Sequence, residues 1–228
     1  MSRKAHSFLH EYPRIRVDRF TESRERVPDF LLPPRCRAGA AKRQDEDEDD
    51  DEPGPWDDLD QDDESTLKAN GGVRFFPAPT IQLLSHIHAD HIEGLSAPLR
   101  SSAPIYCSAA TKEMLMRLES QKSREKGACR VPMGEGARKR PYEWLRVTAK
   151  HAKAKKKFTG LAPAPRDLLH ALPFNTPTEL RYSPGVNIRI TLLDANHMSG
   201  STMFLIEGHR GAVLHMGDCR AETWWIEA

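Results

Sequence analysis

A histidine cluster that directly follows an apolar segment constrains this chain more than any other feature. Residues 80–84 form a short apolar run of the kind that is typical of a buried strand. His86, His88, Asp90 and His91 then follow within six residues. In an extended or looped segment, residues two apart project to the same side, whereas on a helix they do not share a face. The spacing therefore predicts a loop at the end of a strand.

The residue types in this cluster indicate a metal site. Imidazole nitrogen and carboxylate oxygen are the ligands that zinc and similar divalent ions take at catalytic sites, whereas structural zinc sites rely on cysteine thiolate. The four cysteines are scattered without Cys-x-x-Cys pairing, so neither a cysteine zinc site nor a disulfide framework is indicated. The spacing of His86 and His88 from Asp90 and His91 suits two ions. The alternative is a histidine-rich surface loop with no ligand role.

Two further ligand candidates follow strand patterns in the last third of the chain. Apolar and polar residues alternate along residues 186–192, which predicts a strand that leads to His197. Residues 202–206 and 212–214 predict a hairpin, and its second strand leads to Asp218. Each candidate lies beside a turn that contains glycine and therefore permits tight loop geometry.

Together these residues form a candidate site for two ions. The ligands divide into one set of His86, His88 and His197 and a second set of Asp90 and His91, with the carboxylate of Asp218 bridging. In two-metal hydrolysis the ions lie about 3.5–4 Å apart, lower the pKa of a shared water and stabilise charge on the attacked phosphoryl group and the leaving oxygen. Such a site suits the hydrolysis of a phosphodiester.

The first half of the chain predicts two more strands and a helix. Residues 15–20 alternate as a strand with one buried face would, and Asp18 near its end is, taken alone, a solvated carboxylate. Residues 104–108 predict a strand and residues 109–118 a helix, with Thr111 on the exposed side. The buried face of that helix would carry Met114, Leu115 and Leu118.

Charge is strongly segregated along the sequence. Of the 33 acidic residues, 14 lie within residues 45–64, which leaves 19 acidic against 34 basic residues in the other 208, a formal charge of +15. Such a basic body favours polyanions, and nucleic acid is the first partner to expect. No apolar run reaches the length of a membrane span and the N-terminus lacks a signal-peptide core, so we expect an intracellular protein without a membrane partner.

Two segments of biased composition read as insertions. Residues 40–69 are acidic and of low complexity, so we expect a disordered loop; the alternative is an internal mimic of nucleic acid that competes with substrate. Residues 121–167 form a basic insertion, with 13 Lys or Arg against 3 Glu in residues 121–157. This insertion is either a mobile solubilising loop or a contact to the DNA backbone and nuclear address. The candidate DNA-binding residues are Lys153, Lys155, Lys156 and Lys157.

Several motifs together resemble those of a known family. They are EYPRIRVDRF at residues 11–20, SHIHADH at 85–91, YCS with TKE at 106–113, DANH with GS at 194–201, and GDCR at 217–220. In this order they resemble the DNA-repair branch of the metallo-β-lactamase superfamily, the β-CASP nucleases, which is the family of Artemis and the DNA cross-link repair exonucleases. The sequence departs from the family at Met198-Ser199, where Cys-Pro is usual, and at Cys219, where Phe is usual. Neither change replaces a ligand, so we expect altered packing.

The resemblance implies an α/β fold, a metallo-β-lactamase αββα sandwich of which residues 1–228 form the N-terminal portion, the first half only. The β-CASP module that follows the fourth motif in the family, and that supplies a further metal ligand, is absent, so we expect a truncated chain. The cofactor implied is Zn²⁺ at a two-metal site, with Mg²⁺ or Mn²⁺ as alternatives. Asp90 and Asp218 would position and polarise the attacking hydroxide, and Asp18 would support the ligands from behind.

The function implied is that of a metal-dependent DNA nuclease in the nucleus. By resemblance it is a 5′-3′ exonuclease, or a structure-specific endonuclease, in interstrand cross-link repair and double-strand-break end processing. Its partners would be damaged, single-stranded or hairpin DNA ends and other repair proteins. Two alternatives remain: an RNA-processing β-CASP nuclease or small-molecule hydrolase of the same fold, and a non-catalytic chain that binds DNA or repair proteins.

Overall fold

The computed structural model describes residues 7–20, 27, 76–95, 103–119, 140–145 and 167–223. The predicted acidic insertion 40–69 and the four candidate DNA-binding residues, Lys153, Lys155, Lys156 and Lys157, lie outside these described residues. Of the predicted basic insertion 121–167, the structure describes 140–145 and 167. Among the described residues, no helix has the length and apolar character needed to cross a membrane.

The first sheet consists of four short parallel strands that lie side by side in sequence order. They are β1 (Ile15–Val17), β2 (Ile81–Leu83), β3 (Ile105–Ser108) and β4 (Leu169–Leu172). All three residues of β1 are buried, so the prediction of a strand was right and that of one buried face was wrong. A parallel sheet is covered on both faces, and the guanidinium of Arg16 is buried over the ring of Phe8, 4.7 Å from its centroid.

The second sheet is an antiparallel meander. Its strands are β5 (Thr178–Ser183), β6 (Val186–Asp194), β7 (Thr202–Gly208) and β8 (Gly211–His215), in that order. The predicted strand β6 and the predicted hairpin of β7 and β8 are confirmed. Strand β5 was not predicted, because its sequence TELRYS is mostly polar and one of its faces is exposed.

Two apolar clusters hold these layers together. The first lies between the sheets and includes Ile15 and Leu83 from one sheet and Ile190 and Phe204 from the other. The second lies on the opposite face of the first sheet, where helix α1 (Ala109–Arg117) packs. The α/β class is therefore confirmed, and the order of helix, parallel sheet and antiparallel sheet is compatible with the first half of an αββα sandwich.

The buried face of α1 differs from the prediction. Thr111 and Leu115 are fully buried, so the prediction that Thr111 lies on the exposed side was wrong. Leu118 packs against the second cluster as predicted, but Met116 packs there in place of Met114. Residues four and seven positions apart lie on one face of a helix, so Thr111, Leu115 and Leu118 together form the buried stripe of α1.

A short segment of the predicted basic insertion packs against the second cluster. The 3-10 helix Glu143–Leu145 places Leu145 at zero exposure among the apolar residues of that cluster. The indole of Trp144 donates a hydrogen bond of 2.9 Å to the carbonyl of Leu95. Leu145 in turn accepts a backbone hydrogen bond of 3.1 Å from Leu168, just before β4.

The strand ends bring the predicted site residues to one edge of the two sheets. Because β1 and β2 are parallel, Asp18 and residues 85–91 follow them at the same edge. In the second sheet, Asp194 at the end of β6 pairs with Thr202 at the start of β7. The backbone N–H of Thr202 donates to the carbonyl of Ser85 at 3.1 Å, which joins the two edges.

Candidate metal centre

Residues 85–91, which we call the histidine loop, are held to the first sheet by Asp18. Asp18 directly follows β1 with a φ of 54°, a left-handed conformation that aspartate tolerates better than most residues. Its N–H donates to the carbonyl of Leu83 at 3.0 Å. Its carboxylate accepts the N–H of Ser85 at 2.7 Å and the hydroxyl of Ser85 at 2.6 Å. The start of the loop is therefore fixed by backbone and side chain together.

The same two residues orient two imidazole rings. Nδ1 of His91 lies 2.9 Å from a carboxylate oxygen of Asp18, so this nitrogen carries the proton that the carboxylate accepts. The hydroxyl of Ser85 gives its own proton to Asp18 and can accept one from Nδ1 of His86, 2.9 Å away. In its neutral form each ring would then present an unprotonated Nε2 to the site, which is the tautomer that a metal ligand needs.

Three imidazole nitrogens and one carboxylate oxygen converge on a single point. Nδ1 of His88 lies 2.9 Å from Nε2 of His86 and 3.1 Å from Nε2 of His197. The carboxylate of Asp218 lies 3.8 Å from Nε2 of His86 and 3.6 Å from Nε2 of His197. All four ligand atoms are within 4.8 Å of one another. Ligands at about 2.0–2.1 Å from a tetrahedral zinc ion are about 3.3 Å apart, so this set fits such an ion.

A second, more open set lies on the other side of Asp218. Nε2 of His91 is 3.5 Å from Oδ1 of Asp218, whose Oδ2 faces the first set. It is also 3.7 Å from Oδ2 of Asp90, whose side chain is 81% exposed. The structure thus brings all six predicted ligand residues together and gives Asp218 one oxygen toward each set, in the arrangement expected of a bridging carboxylate.

His86 and His91 differ in their electrostatic surroundings. Burial, followed by the neighbouring His91, lowers the pKa of His86 to about 4, so its ring is neutral near pH 7 and able to bind a metal. Burial also acts to lower the pKa of His91. The hydrogen bond that His91 donates to Asp18 and the charges of Asp18, Asp218 and Asp90 outweigh this effect, and the pKa of His91 is raised. The carboxylates around His91 therefore create a place that favours positive charge.

His197 and Asp218 are carried by two loops that bind each other. Asn196, at a φ of 51°, directs its side-chain amide to the carbonyl of Arg220 at 3.2 Å. In return, the N–H of Arg220 donates to the carbonyl of Ala195 at 3.1 Å. These contacts fix the spacing between the imidazole of His197 and the carboxylate of Asp218.

Ser85 is the point at which three segments meet, a role that the sequence did not reveal. Its carbonyl accepts hydrogen bonds from the N–H and the hydroxyl of Thr202, at 3.1 and 3.3 Å. Gly217, at a φ of 56°, lies beside Ser85, and an added Cβ would be in van der Waals contact with Cβ of Ser85 at 3.4 Å. Ser85 and Thr202 are buried polar residues, and Ser85 directly precedes His86, but only the relative placement of the sheets shows that the two residues touch.

Comparison with known proteins finds relatives among nucleases. The chain is 31% identical to the 5′ exonuclease Apollo of Gallus gallus over 156 residues, which is 68% of this chain and 22% of that protein. It is 30% identical to the protein artemis of Gallus gallus over 149 residues, which is 60% of this chain and 15% of that protein. It is 29% identical to the protein artemis of Homo sapiens over 149 residues, 60% of this chain and 16% of that protein.

The similarity covers only a part of each relative. The chain spans about a fifth of the length of the curated relatives that it matches first, with 22% and 20% of those proteins covered. No family model matches the chain.

Proposed function

We propose that this chain, a member of the metallo-β-lactamase/β-CASP family of DNA-repair nucleases, carries the two-ion centre of a metal-dependent nuclease that hydrolyses DNA. One observation carries the proposal. Nitrogens of His86, His88 and His197 converge with one oxygen of Asp218, while the other oxygen of Asp218 faces Nε2 of His91. A cluster held only by hydrogen bonds would not direct three imidazole nitrogens at one point, because a shared proton can satisfy only one pair of them.

Each ligand residue has a distinct part in this proposal. His86, His88 and His197 would hold one ion, Asp90 and His91 would hold the other, and Asp218 would offer one oxygen to each. When bound, two divalent ions lower the pKa of a water and stabilise charge on the phosphoryl and leaving oxygens. Asp90 and Asp218 position and polarise the attacking water, and their exposed fractions of 81% and 47% leave room for substrate beside them. Zinc suits the nitrogen-rich set best, with Mg²⁺ or Mn²⁺ as alternatives.

Charge and similarity support DNA as the substrate. Outside residues 45–64 the chain has a formal charge of +15, which favours a phosphate backbone. We assign contacts with that backbone to Lys153, Lys155, Lys156 and Lys157. The likeness to the relative named 5′ exonuclease Apollo supports cutting from the 5′ end. The family resemblance of the sequence motifs implies structure-specific endonuclease action at single-stranded or hairpin ends as a second activity.

The cellular setting is proposed from the same relatives. A nuclease of this family would act in the nucleus, in interstrand cross-link repair and in double-strand-break end processing, together with other repair proteins. The basic run at Lys155, Lys156 and Lys157 is compatible with a nuclear address.

Digestion of single-stranded DNA tests the activity. Residues 1–228 would be incubated with Zn²⁺ and a 5′-phosphorylated, 3′-labelled strand, in parallel with the Asp218→Asn variant and with RNA of the same sequence. The proposal expects shortening of the DNA from its 5′ end by the wild type, and no shortening by Asp218→Asn. Binding without cleavage by both proteins would instead identify a non-catalytic DNA-binding chain, and preferential cleavage of the RNA would identify an RNA-processing nuclease.

A further inference from the structure

The start of helix α1 contacts the loop that carries His197. The hydroxyl of Ser108, the residue that caps α1, donates to the carbonyl of Gly200 at 2.6 Å. The hydroxyl of Thr111 donates to the same carbonyl at 2.9 Å. Both residues are fully buried, and the two donors match the two lone pairs of one carbonyl oxygen. We call these two hydrogen bonds the Gly200 clamp.

The conformation of Gly200 is what allows this approach. Its φ of +78° lies in the left-handed region, where a side chain is strained. A Cβ added at this position would lie 2.7 Å from Cβ of Ala110 and 3.0 Å from the hydroxyl of Ser108. The backbone of residue 200 therefore rests directly on the first turn of α1, and no other residue type permits the same contact.

Gly200 is linked to His197 by a closed turn. The hydroxyl of Ser201 accepts the N–H groups of His197 and Met198, at 3.2 and 3.1 Å. The N–H of Ser201 donates to the carbonyl of Met198 at 3.0 Å. Because these bonds close the turn on itself, a displacement of Gly200 is transmitted to the backbone of His197.

His197 differs from the other histidines of the centre in what holds it. His86, His88 and His91 share one loop, and Asp18 and Ser85 orient the rings of His86 and His91. His197 comes from the second sheet, and its side chain is 23% exposed. Its position relative to the histidine loop therefore depends on how its own turn is fixed to the rest of the fold.

We propose that Ser108 and Thr111 are positioning residues for the metal centre, acting through the carbonyl of Gly200 to set where Nε2 of His197 lies. This inference rests on the proposed two-ion centre. The Gly200 clamp would affect the affinity for the ion held by His86, His88 and His197, and not the affinity for the ion held by His91 and Asp90. Partners that orient a metal ligand typically contribute about 10–100-fold to metal affinity.

Thr111→Val tests the clamp with the least disturbance, because valine keeps the shape and burial of threonine and removes only the hydroxyl. The double variant Ser108→Ala with Thr111→Val removes both donors. Thr111→Ser keeps the hydroxyl at position 111 and loses only the methyl group. Thr80→Val is the matched control. The hydroxyl of Thr80 also donates to a backbone carbonyl, that of Tyr182, at 2.8 Å, but Thr80 precedes β2, at the end of that strand opposite to the histidine loop. His197→Ala shows which part of the metal-binding signal belongs to the ion that His197 would bind.

The readout is Co²⁺ binding to the metal-free full chain, followed by the visible absorption bands of the bound ion, with circular dichroism to verify folding. We expect Thr111→Val to weaken one of two Co²⁺ ions about tenfold and the double variant up to about 100-fold. The spectral change should resemble that of His197→Ala. Thr111→Ser should recover most of the affinity, and Thr80→Val should bind both ions as the wild type does.

Two results overturn the inference, and they differ in what else they affect. If folded Thr111→Val and the double variant bind both ions like the wild type, or if Thr80→Val loses as much affinity as they do, the clamp does not position His197 and the metal centre stands. If the wild type binds no Co²⁺ at all, the proposed metal centre is wrong and the inference falls with it.

Discussion

The carboxylate of Asp18 lies 2.9 Å from Nδ1 of His91, although the two residues are 73 positions apart in the chain. The same carboxylate accepts the N–H and the hydroxyl of Ser85. One side chain thus fixes both ends of the histidine loop. Because Nδ1 of His91 is bound to Asp18, Nε2 is the atom that His91 offers to the open set beside Asp90 and Asp218.

Asp18→Asn should weaken metal binding because an amide can accept fewer of these hydrogen bonds and carries no charge. We expect zinc affinity to fall about 10–100-fold. Loss of hydrogen bonds to a charged group should also lower the free energy of unfolding by about 1.5–3 kcal/mol. Competition with a chromophoric chelator measures the first quantity and urea denaturation the second.

Asp167→Asn is the control for that variant. Asp167 also receives a hydrogen bond, from the ammonium group of Lys112 at 2.9 Å, but it lies before β4 and contacts no residue of the centre in the described structure. Its zinc affinity should equal that of the wild type. An equal loss of zinc affinity in both variants would mean that Asp18 acts only by adding negative charge to the protein, and not through its hydrogen bonds.

Gly200→Ala should destabilise the fold more than Gly185→Ala. Both glycines have a φ of +78°, so both substitutions incur the cost of a left-handed side chain, about 1 kcal/mol or more. Only at Gly200 does the new Cβ meet other atoms, at 2.7 Å from Cβ of Ala110; at Gly185 nothing lies within 4 Å. We expect the free energy of unfolding to fall further at Gly200 by about 1–3 kcal/mol. Equal losses in urea denaturation would contradict the close contact with α1.

Acid should destabilise the metal-free chain through His86. An unfolded histidine takes up a proton near pH 6.5, whereas the pKa of His86 in the folded chain is about 4. Between these values the unfolded state binds more protons, so the free energy of unfolding falls as the pH drops, by up to about 3 kcal/mol from this residue.

Replacement of the ring isolates this effect. In the presence of a chelator, His86→Gln should show a smaller fall in unfolding free energy between pH 6.5 and pH 4 than the wild type. His91, whose pKa is raised, acts in the opposite direction: it adds stability below pH 6.5 that is lost as the pH rises through its folded pKa. An identical pH slope in wild type and His86→Gln would show that His86 is not buried in a neutral form.

The sequence predicted the position of the histidine loop and of Asp18 behind it, but not the other contacts that support the loop, for a physical reason. His86, His88 and His91 lie next to each other in the sequence, so their spacing alone shows that their rings can face one site. His197 and Asp218 were found because each follows a strand with clear apolar alternation. Local pattern was sufficient in both cases.

Other features depend on contacts that no local pattern reveals. Thr111 was predicted to be exposed, yet it is buried because the loop around Gly200 rests on α1. Strand β1 was predicted to have one buried face, yet Arg16 on its other face is buried too, because the first sheet is covered on both sides. Strand β5 has too many polar residues for alternation to identify it, and it forms through its register with β6.

Zinc stoichiometry tests the central claim, a centre of two ions bridged by Asp218, most directly. Residues 1–228 would be loaded with Zn²⁺, freed of excess metal by gel filtration and measured by inductively coupled plasma mass spectrometry. Asp218→Asn and His209→Ala would be measured in parallel, the latter because His209 lies at the β7–β8 turn. We expect two zinc ions per chain for the wild type and His209→Ala, and fewer for Asp218→Asn. No bound zinc in the wild type, or equal zinc in all three proteins, would contradict it.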